Sequence, residues 1–376
     1  MSLFARSQRA QRIFINSLKL REILKREDLV RMLKAILEST PPLKVSNLAS
    51  RLSITIDAAR RRLRLIRNAG ISIGIDVNHY GLGLTKLFIA IDGILDEIPT
   101  PLSYIIKWRA HIISPRPLTM MIFYQPINVD KRYILQSLSH RKIINVFEAQ
   151  LTIRNKPNFN QYFDPRRNEF IYPWDEVKAK ISKCITHVSL PQLTHFRKID
   201  WLDLLILSVL EDNALMSISD IARKLNVSRN KVSTHYRNHL VRTGIIKGFY
   251  FTYAPFPLEG SLYILVYLKG EPKVIYAVSL VLREIIGFGS AVLDIVNGNG
   301  IYMIVLPYDV ISGFLKFLDW LKGLVEEIHI YVVDRLSIKS YSVPFLVYSP
   351  KSRFWDLNVY DVMKERFEKL FQREKA

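Results

Sequence analysis

The chain repeats itself, and nothing else in it constrains the fold as much. The run VSNLASRLSITIDAA from Val45 lies without a gap on ISDIARKLNVSRNKV from Ile218. Apolar or small residues coincide at Val45/Ile218, Leu48/Ile221, Ala49/Ala222, Leu52/Leu225, Ile54/Val227 and Ala59/Val232, and Thr55 falls on Ser228. One supersecondary unit therefore recurs, and the fold must be one that a single chain can make twice. The flanks agree. Upstream, EDLVRMLKAILES and IDWLDLLILSVLED carry helical apolar spacing at Leu29, Leu33, Ile36 and Leu37 and at Leu202, Leu205, Ile206 and Val209. Downstream, each copy reaches a glycine and a strand-like run, GISIGIDV or GIIKGFYFTY. DPRRNEFIYPWDEVKAKI from Asp164 and SPKSRFWDLNVYDVMKERF from Ser349 give each copy a corresponding tail, with the joint near residues 183–197.

Within each copy the pattern reads helix, short turn, helix. Ser46 and Ser219 are expected to cap the first of these helices, and Thr55 and Ser228 the second. Ala49 and Ala222 are small where the two helices would cross. The second helix carries the charge. In the first copy Ala59, Leu63 and Ile66 would face the core, leaving Asp57, Arg60, Arg61 and Arg64 outward and Arg67 near the end; five arginines fall within residues 60–67. In the second copy Val232, Tyr236 and Leu240 would face inward, with Arg229, Asn230, Ser233, Thr234 and Arg237 outward and Lys231 alongside. A solvated face normally mixes acids and bases at i, i+4. A helix entering the major groove instead needs Arg and Asn for base edges and Lys, Ser and Thr for phosphates. The strand GISIGIDV, alternating Ile71, Ile73, Ile75 and Val77, would follow as a wing or a link between modules.

Charge supports a polyanionic partner. The chain carries a formal +20, and sixteen Lys and Arg against five Asp and Glu place +11 of it in residues 1–70. Cys184 is the only cysteine, which excludes an intramolecular disulfide and a cysteine-based zinc site and suits a reducing interior. No apolar run approaches the roughly 18 residues of a membrane span, and the basic N-terminus lacks a signal-peptide core, so a cytoplasmic, nucleoid-associated protein is expected. No P-loop, GxGxxG after a strand, or GxSxG elbow occurs. HYRNH spaces His235 and His239 at i, i+4 but has no intervening glutamate and no nearby cysteine, and reads as groove-facing or packing histidines. The expectation is of no enzyme, no catalytic residue, no metal and no cofactor.

The strings IDWLDLLILSVLEDNALMSISDIARKLNVSRNKV, GIIKGFYFTY and GISIGIDVNHYGLGL, the last with Asp76, Leu82 and Gly83, resemble the Lrp/AsnC (feast/famine) transcription regulators of bacteria and archaea. That resemblance implies a winged helix-turn-helix leading into a βαββαβ domain for pairing and effector sensing. The runs that follow fit on their own terms. In the first copy TKLFIAI reads as a strand, LSYIIKWRA as a helix, HIISP and LTMMIFYQ as strands, VDKRYILQSLS as a helix and INVFEAQLTI as a strand. In the second, SLYILVYL, PKVIYAVSLVLRE, GFGSAVLDI, GIYMIVLPY, ISGFLKFLDWLKGL and IHIYVVDRLSI repeat the β-α-β-β-α-β order. The expected class is α+β: two winged helix-turn-helix domains, each followed by a ferredoxin-like βαββαβ domain, in tandem. The boundaries are a basic segment 1–26, helix-turn-helix 27–80, ferredoxin-like 81–155, extension and linker 156–197, helix-turn-helix 198–255, ferredoxin-like 256–343 and a C-terminal extension 344–376.

Three departures from the family are visible. One chain carries two modules. The second reading helix is one residue longer before its glycine. The turn between the middle strands is NGNG (Asn297–Gly300) in the second copy and SPRP (Ser114–Pro117) in the first, so no effector residue is assigned.

The expected function is a DNA-binding transcription regulator, an intramolecular pseudo-dimer open to further homo-oligomerisation. Its two unequal reading heads would occupy successive major grooves. The DNA-binding residues are Thr55, Asp57, Arg60, Arg61, Arg64 and Arg67 in one head and Ser228, Arg229, Asn230, Lys231, Ser233, Thr234 and Arg237 in the other. Arg6, Arg9 and Arg12 would add phosphate contacts, and the last helix, with Val359, Val362, Phe367, Leu370 and Phe371, would pack or dock. The alternatives are a factor that binds RNA, a ribosome or RNA polymerase, through aromatics in MMIFYQ and GIYMIVLPY, and a non-specific architectural DNA binder.

Overall fold

The computed structural model describes residues 17–100, 102–193, 199–257, 259–360 and 363–364. Arg6, Arg9, Arg12, Val362, Phe367, Leu370 and Phe371 lie outside these residues. The first half opens on helices α1 (Ser17–Leu24), α2 (Glu27–Leu37), α3 (Val45–Arg51) and α4 (Ile56–Asn68), then strand β1 (Ser72–Val77). β2 (Leu84–Asp92), β3 (Ile106–Ile113), β4 (Leu118–Pro126), α5 (Lys131–Gln136), β5 (Ile143–Ala149) and β6 (Leu151–Arg154) follow. A tail of α6 (Phe159–Tyr162), the short pair β7 (Phe163–Asp164) and β8 (Glu169–Phe170), and α7 (Trp174–His187) ends this half. Helix α7 extends to His187, so the break between halves begins later than the sequence suggests.

The second half runs α8 (Trp201–Asp212), α9 (Ile218–Lys224) and α10 (Arg229–Thr234), which continues as a π-helix over His235–Val241. Then come β9 (Ile246–Thr252), β10 (Ser261–Lys269), α11 (Pro272–Leu282), β11 (Phe288–Asp294), β12 (Asn299–Pro307), α12 (Ile311–Leu321) and β13 (Glu327–Val333). The short strands β14 (Lys339–Ser340), β15 (Tyr348–Ser349) and β16 (Phe354–Trp355) close the described chain.

Local chemistry explains the helix boundaries. The Thr55 side chain accepts from the Ala58 N–H and that of Ser228 from the Lys231 N–H, as expected of N-caps. Replacing either by alanine should cost about 1 kcal/mol, read as a lower midpoint in urea. The caps expected one helix earlier are different: Lys44 precedes α3 with no side-chain cap, and Ser217, not Ser219, caps α9. Ser53 and Asn226, at equivalent places in the two turns, both adopt left-handed backbone with φ of 53° and 51°. The glycines that end the two helical units, Gly70 and Gly244, do the same at φ 81° and 76°. The extra residue of the second copy is taken up in the π-helical turns.

The expected helix LSYIIKWRA does not form. Leu102–Tyr104 makes a single 3-10 turn and Ile106–Ile113 is strand β3. Pro99 and Pro101 disfavour helix at the start of the run, and Trp108, Ala110 and Ile112 are buried on one side of a strand, with Ile106 turned to the other side by a register shift before Trp108. The first half therefore has one helix fewer than β-α-β-β-α-β.

The sheets join the halves. The long sheet runs β5-β2-β4-β3-β13-β10-β12-β11-β6, with β14 on β3. Its two ends are one strand interrupted only at Gln150: β5 pairs with β2, and β6 pairs with β11. The sheet thus closes on itself, and its inside is a separate apolar core built from both halves, including Phe88, Trp108, Phe147, Leu265, Tyr267 and Met303. Phe147 stacks on Phe88 at 4.9 Å and meets Tyr267 of the other half at 6.1 Å. Helices cover the outside, so β2 is buried along nearly its whole length and its sequence does not alternate.

The strand that follows each charged helix is not a free wing. β1 pairs antiparallel with β9, and Ile75 lies opposite Phe249. Phe249 follows Gly244 by the same five residues that separate Ile75 from Gly70, so equivalent residues face each other. The tails cross over as well. Trp174 of the first tail packs on Phe314 and Phe317 at 5.5 and 5.2 Å. In the second tail Tyr360 stacks on Tyr104 at 3.6 Å, and Trp355 Nε1 donates to the Leu82 carbonyl at 2.8 Å.

Candidate nucleic-acid interface

Helix α4 buries Ala59, Leu63 and Ile66 and exposes the opposite side. Thr55, Asp57, Arg60, Arg61, Arg64 and Arg67 are all exposed. Asp57 accepts from Arg60 at 3.0 Å in the first turn, where the helix dipole favours an acid. The fifth arginine of the run, Arg62, leaves the face: its Nε sits 2.9 Å from Asp28 of α2. Arg67 Nη2 donates to Asn213 Oδ1 of the other half at 3.0 Å, tying the end of α4 to the end of α8.

In the second half Val232, Tyr236 and Leu240 are buried. Ser228, Arg229, Asn230, Lys231, Thr234 and Arg237 are exposed and Ser233 is half-buried. Asn238 and Arg242, which the sequence reading omitted, are exposed further along the same segment. Both charged helices therefore present the residue types that contact phosphates and base edges. His235 is not groove-facing. It is buried against α8, with Nδ1 2.9 Å from Asp203 Oδ1.

The aromatics that would serve RNA stacking on a sheet face are turned inward: Phe123, Tyr124 and Tyr302 are buried. Tyr308, just past β12, is exposed. Among the described residues no helix is long and apolar enough to cross a membrane.

A second polar site lies beneath the interface, where the two halves meet. His79, Lys86, Gln150, Thr152 and Lys247 line a cavity of about 10 Å³, room for one water-sized group. Lys86 is buried and its Nζ donates to Thr152 Oγ1. Burial first, then the charges of Arg154, Lys107 and Lys247, hold the Lys86 ammonium well below the ordinary lysine range, with Asp76 opposing. His79 is held well below the ordinary histidine range, again by burial first and then by Lys86 and Lys107. Its Nε2 lies 3.2 Å from Tyr124 Oη, while its buried Nδ1 has no hydrogen-bond partner among the described residues. Sequence spacing could not reveal this cluster, because its members come from the β1–β2 link, β2, β6 and β9.

Comparisons with known proteins bear on the second half most directly. The family described as winged helix-turn-helix DNA-binding matches residues 200–247, which span α8 to the start of β9. No curated protein matches the chain. Among solved structures, the siroheme decarboxylase NirDL is 11% identical over 93% of this chain and 100% of its own, with a TM-score of 0.47. PH0061 is 21% identical over 37% of this chain and 95% of its own, with a TM-score of 0.28. The chain carries a winged helix-turn-helix DNA-binding domain at residues 200–247, within a mixed helix-and-sheet fold.

Proposed function

We propose that the chain is a non-enzymatic DNA-binding transcription regulator with two reading heads, α4 and α10 with its π-helical continuation, on a tandemly duplicated module. The observation that carries this is the outward cationic face on the third helix of each three-helix unit, in one case within the matched DNA-binding domain. The duplication is supported by the shared left-handed turn residues Ser53 and Asn226, the caps Thr55 and Ser228, and the pairing of Ile75 with Phe249. With its closed sheet and exchanged tails, the chain acts as its own dimer, and its heads occupy successive major-groove faces about one helical turn, ~34 Å, apart. The heads differ, so the binding site is asymmetric. Selection from randomised duplexes, with structured RNA as competitor and across a salt series, tests this. An enriched two-part, non-palindromic site is expected. Perfect inverted repeats would overturn the unequal-head reading, uniform enrichment would mean architectural coating, and preference for the RNA would name the wrong polymer.

Lys86→Met should be more stable than the natural chain, because it removes a lysine buried beneath the interface. The unfolded lysine takes up its proton below about pH 10.5, whereas the buried one resists it, so folding is penalised increasingly as pH falls from there. The variant's melting temperature should exceed the natural one at pH 7. That gain should shrink as the pH approaches 10.5.

A further inference from the structure

Four side chains able to ligate a metal converge behind the second reading helix. Asp200 and Asp203 come from the start of α8, and His235 and His239 from the π-helical turns. Asp203 is fully buried, with Oδ1 2.9 Å from His235 Nδ1 and Oδ2 3.2 Å from His239 Nδ1. His235 Nδ1 is also 3.5 Å from Asp200 Oδ2, and one donor atom of each residue lies within 4.8 Å of all the others. Tetrahedral ligands about 2.0–2.2 Å from zinc sit roughly 3.3–3.5 Å from one another. The observed separations of 2.9, 3.2 and 3.5 Å lie close to that spacing.

Two observations separate this cluster from ordinary packing. The first half builds its three-helix unit without it: Val30 occupies the place of Asp203, and Arg62, in the place of His235, pairs with Asp28. The unit therefore does not require a buried carboxylate, which is costly to bury without a compensating cation. The second observation is the extra residue of this copy, absorbed as π-helical turns that hold both histidines; such insertions recur at functional sites. HYRNH looked unsupported in sequence because its partners lie on α8, more than thirty residues upstream.

We propose that Asp200, Asp203, His235 and His239 bind one divalent cation of the zinc type, clamping α8 to the second reading helix. Two imidazoles and two carboxylates suit zinc or cobalt better than calcium or magnesium, which take oxygen ligands. The site stands by itself; its control over DNA rests on the reading of α10 and its π-helical continuation as a reading head.

The test uses the untagged full chain, stripped with chelator. Zinc titrated by calorimetry should bind at one ion per chain, and cobalt(II) should give the visible bands of a tetrahedral site. His239→Ala and Asp200→Asn, both at partly exposed residues, should each weaken zinc binding at least 10-fold while leaving the metal-free circular dichroism unchanged, since asparagine still caps α8. No saturable binding, or equal binding by both variants, overturns the site. Duplex affinity is then compared in zinc and in chelator. A change in the natural chain that His239→Ala loses supports control of the reading head, and an unchanged affinity rejects that control while the site stands. Absence of duplex binding in both conditions rejects the regulator reading and leaves the metal result intact.

Discussion

Replacing Arg60, Arg61 and Arg64 together by alanine should lower the chain's affinity for its selected duplex by about 100-fold at physiological salt. All three are exposed on α4, and three charge-assisted phosphate contacts at about 1 kcal/mol each give that factor. Each contact also releases counterions, so the slope of log affinity against log salt should become shallower by about 2.7. Fluorescence anisotropy across a salt series measures both. Stability should stay within about 0.5 kcal/mol, because the removed side chains leave no cavity and no buried partner. Arg62→Ala is the contrast. Its guanidinium is engaged by Asp28, so the salt slope should not move. An unchanged slope in the triple variant would mean that α4 stays off the phosphates and that the chain reads DNA through its second half alone.

The same logic sorts the second head by readout. Arg229 and Asn230 stand exposed at the start of α10, just after the Ser228 cap. At the N-terminal end of a reading helix, such residues contact base edges. Asn230→Ala should therefore relax preference at one base pair of the selected site, by about 1–3 kcal/mol of discrimination, without changing the salt slope. A repeated selection with the variant reads this directly.

The sequence carried the parts of the fold that local chemistry dictates. The caps Thr55 and Ser228, the inward stripes of the two charged helices and all six second-half strand and helix runs follow from periodicity and hydroxyl placement. What it hid was decided at a distance. Nothing in GISIGIDV says that its partner is GFYFT of the other half, since any half-buried strand alternates in this way. LSYIIKWRA has enough apolar residues for a helix, and only the prolines just before it argue against one. Asp203 looks like an ordinary helix-start acid, and its capping box with Asp200 is indeed present. Its second role emerges only when the π-helical turns bring His235 and His239 over it. Lys86, in a strand buried on both faces, was invisible as a functional candidate for the same reason.

Phe249→Ala should destabilise the whole chain by about 3–5 kcal/mol and lower its melting temperature by ~10 °C. Phe249 is fully buried, lies opposite Ile75, and belongs to a strand that packs on α2 of the first half, while β1 packs on α8 of the second. Truncation opens a cavity at the seam between the halves rather than inside either one. The closed sheet and the exchanged tails leave neither half a core of its own, so heating should give one cooperative transition in the natural chain and one, lowered, in the variant. Ile75→Val, which removes a single methylene at the facing position, should shift the same transition by only about 1 kcal/mol. Calorimetry decides the matter. Two resolved transitions, with only the one belonging to the second half displaced, would mean that the halves fold separately. Pairing across β1 and β9 would then be a contact between independent units and not the axis of an internal dimer. A single lowered transition would instead fix the spacing of the two charged helices by the same residues that stabilise the fold, and DNA spacing preference should loosen in Phe249→Ala before the chain unfolds.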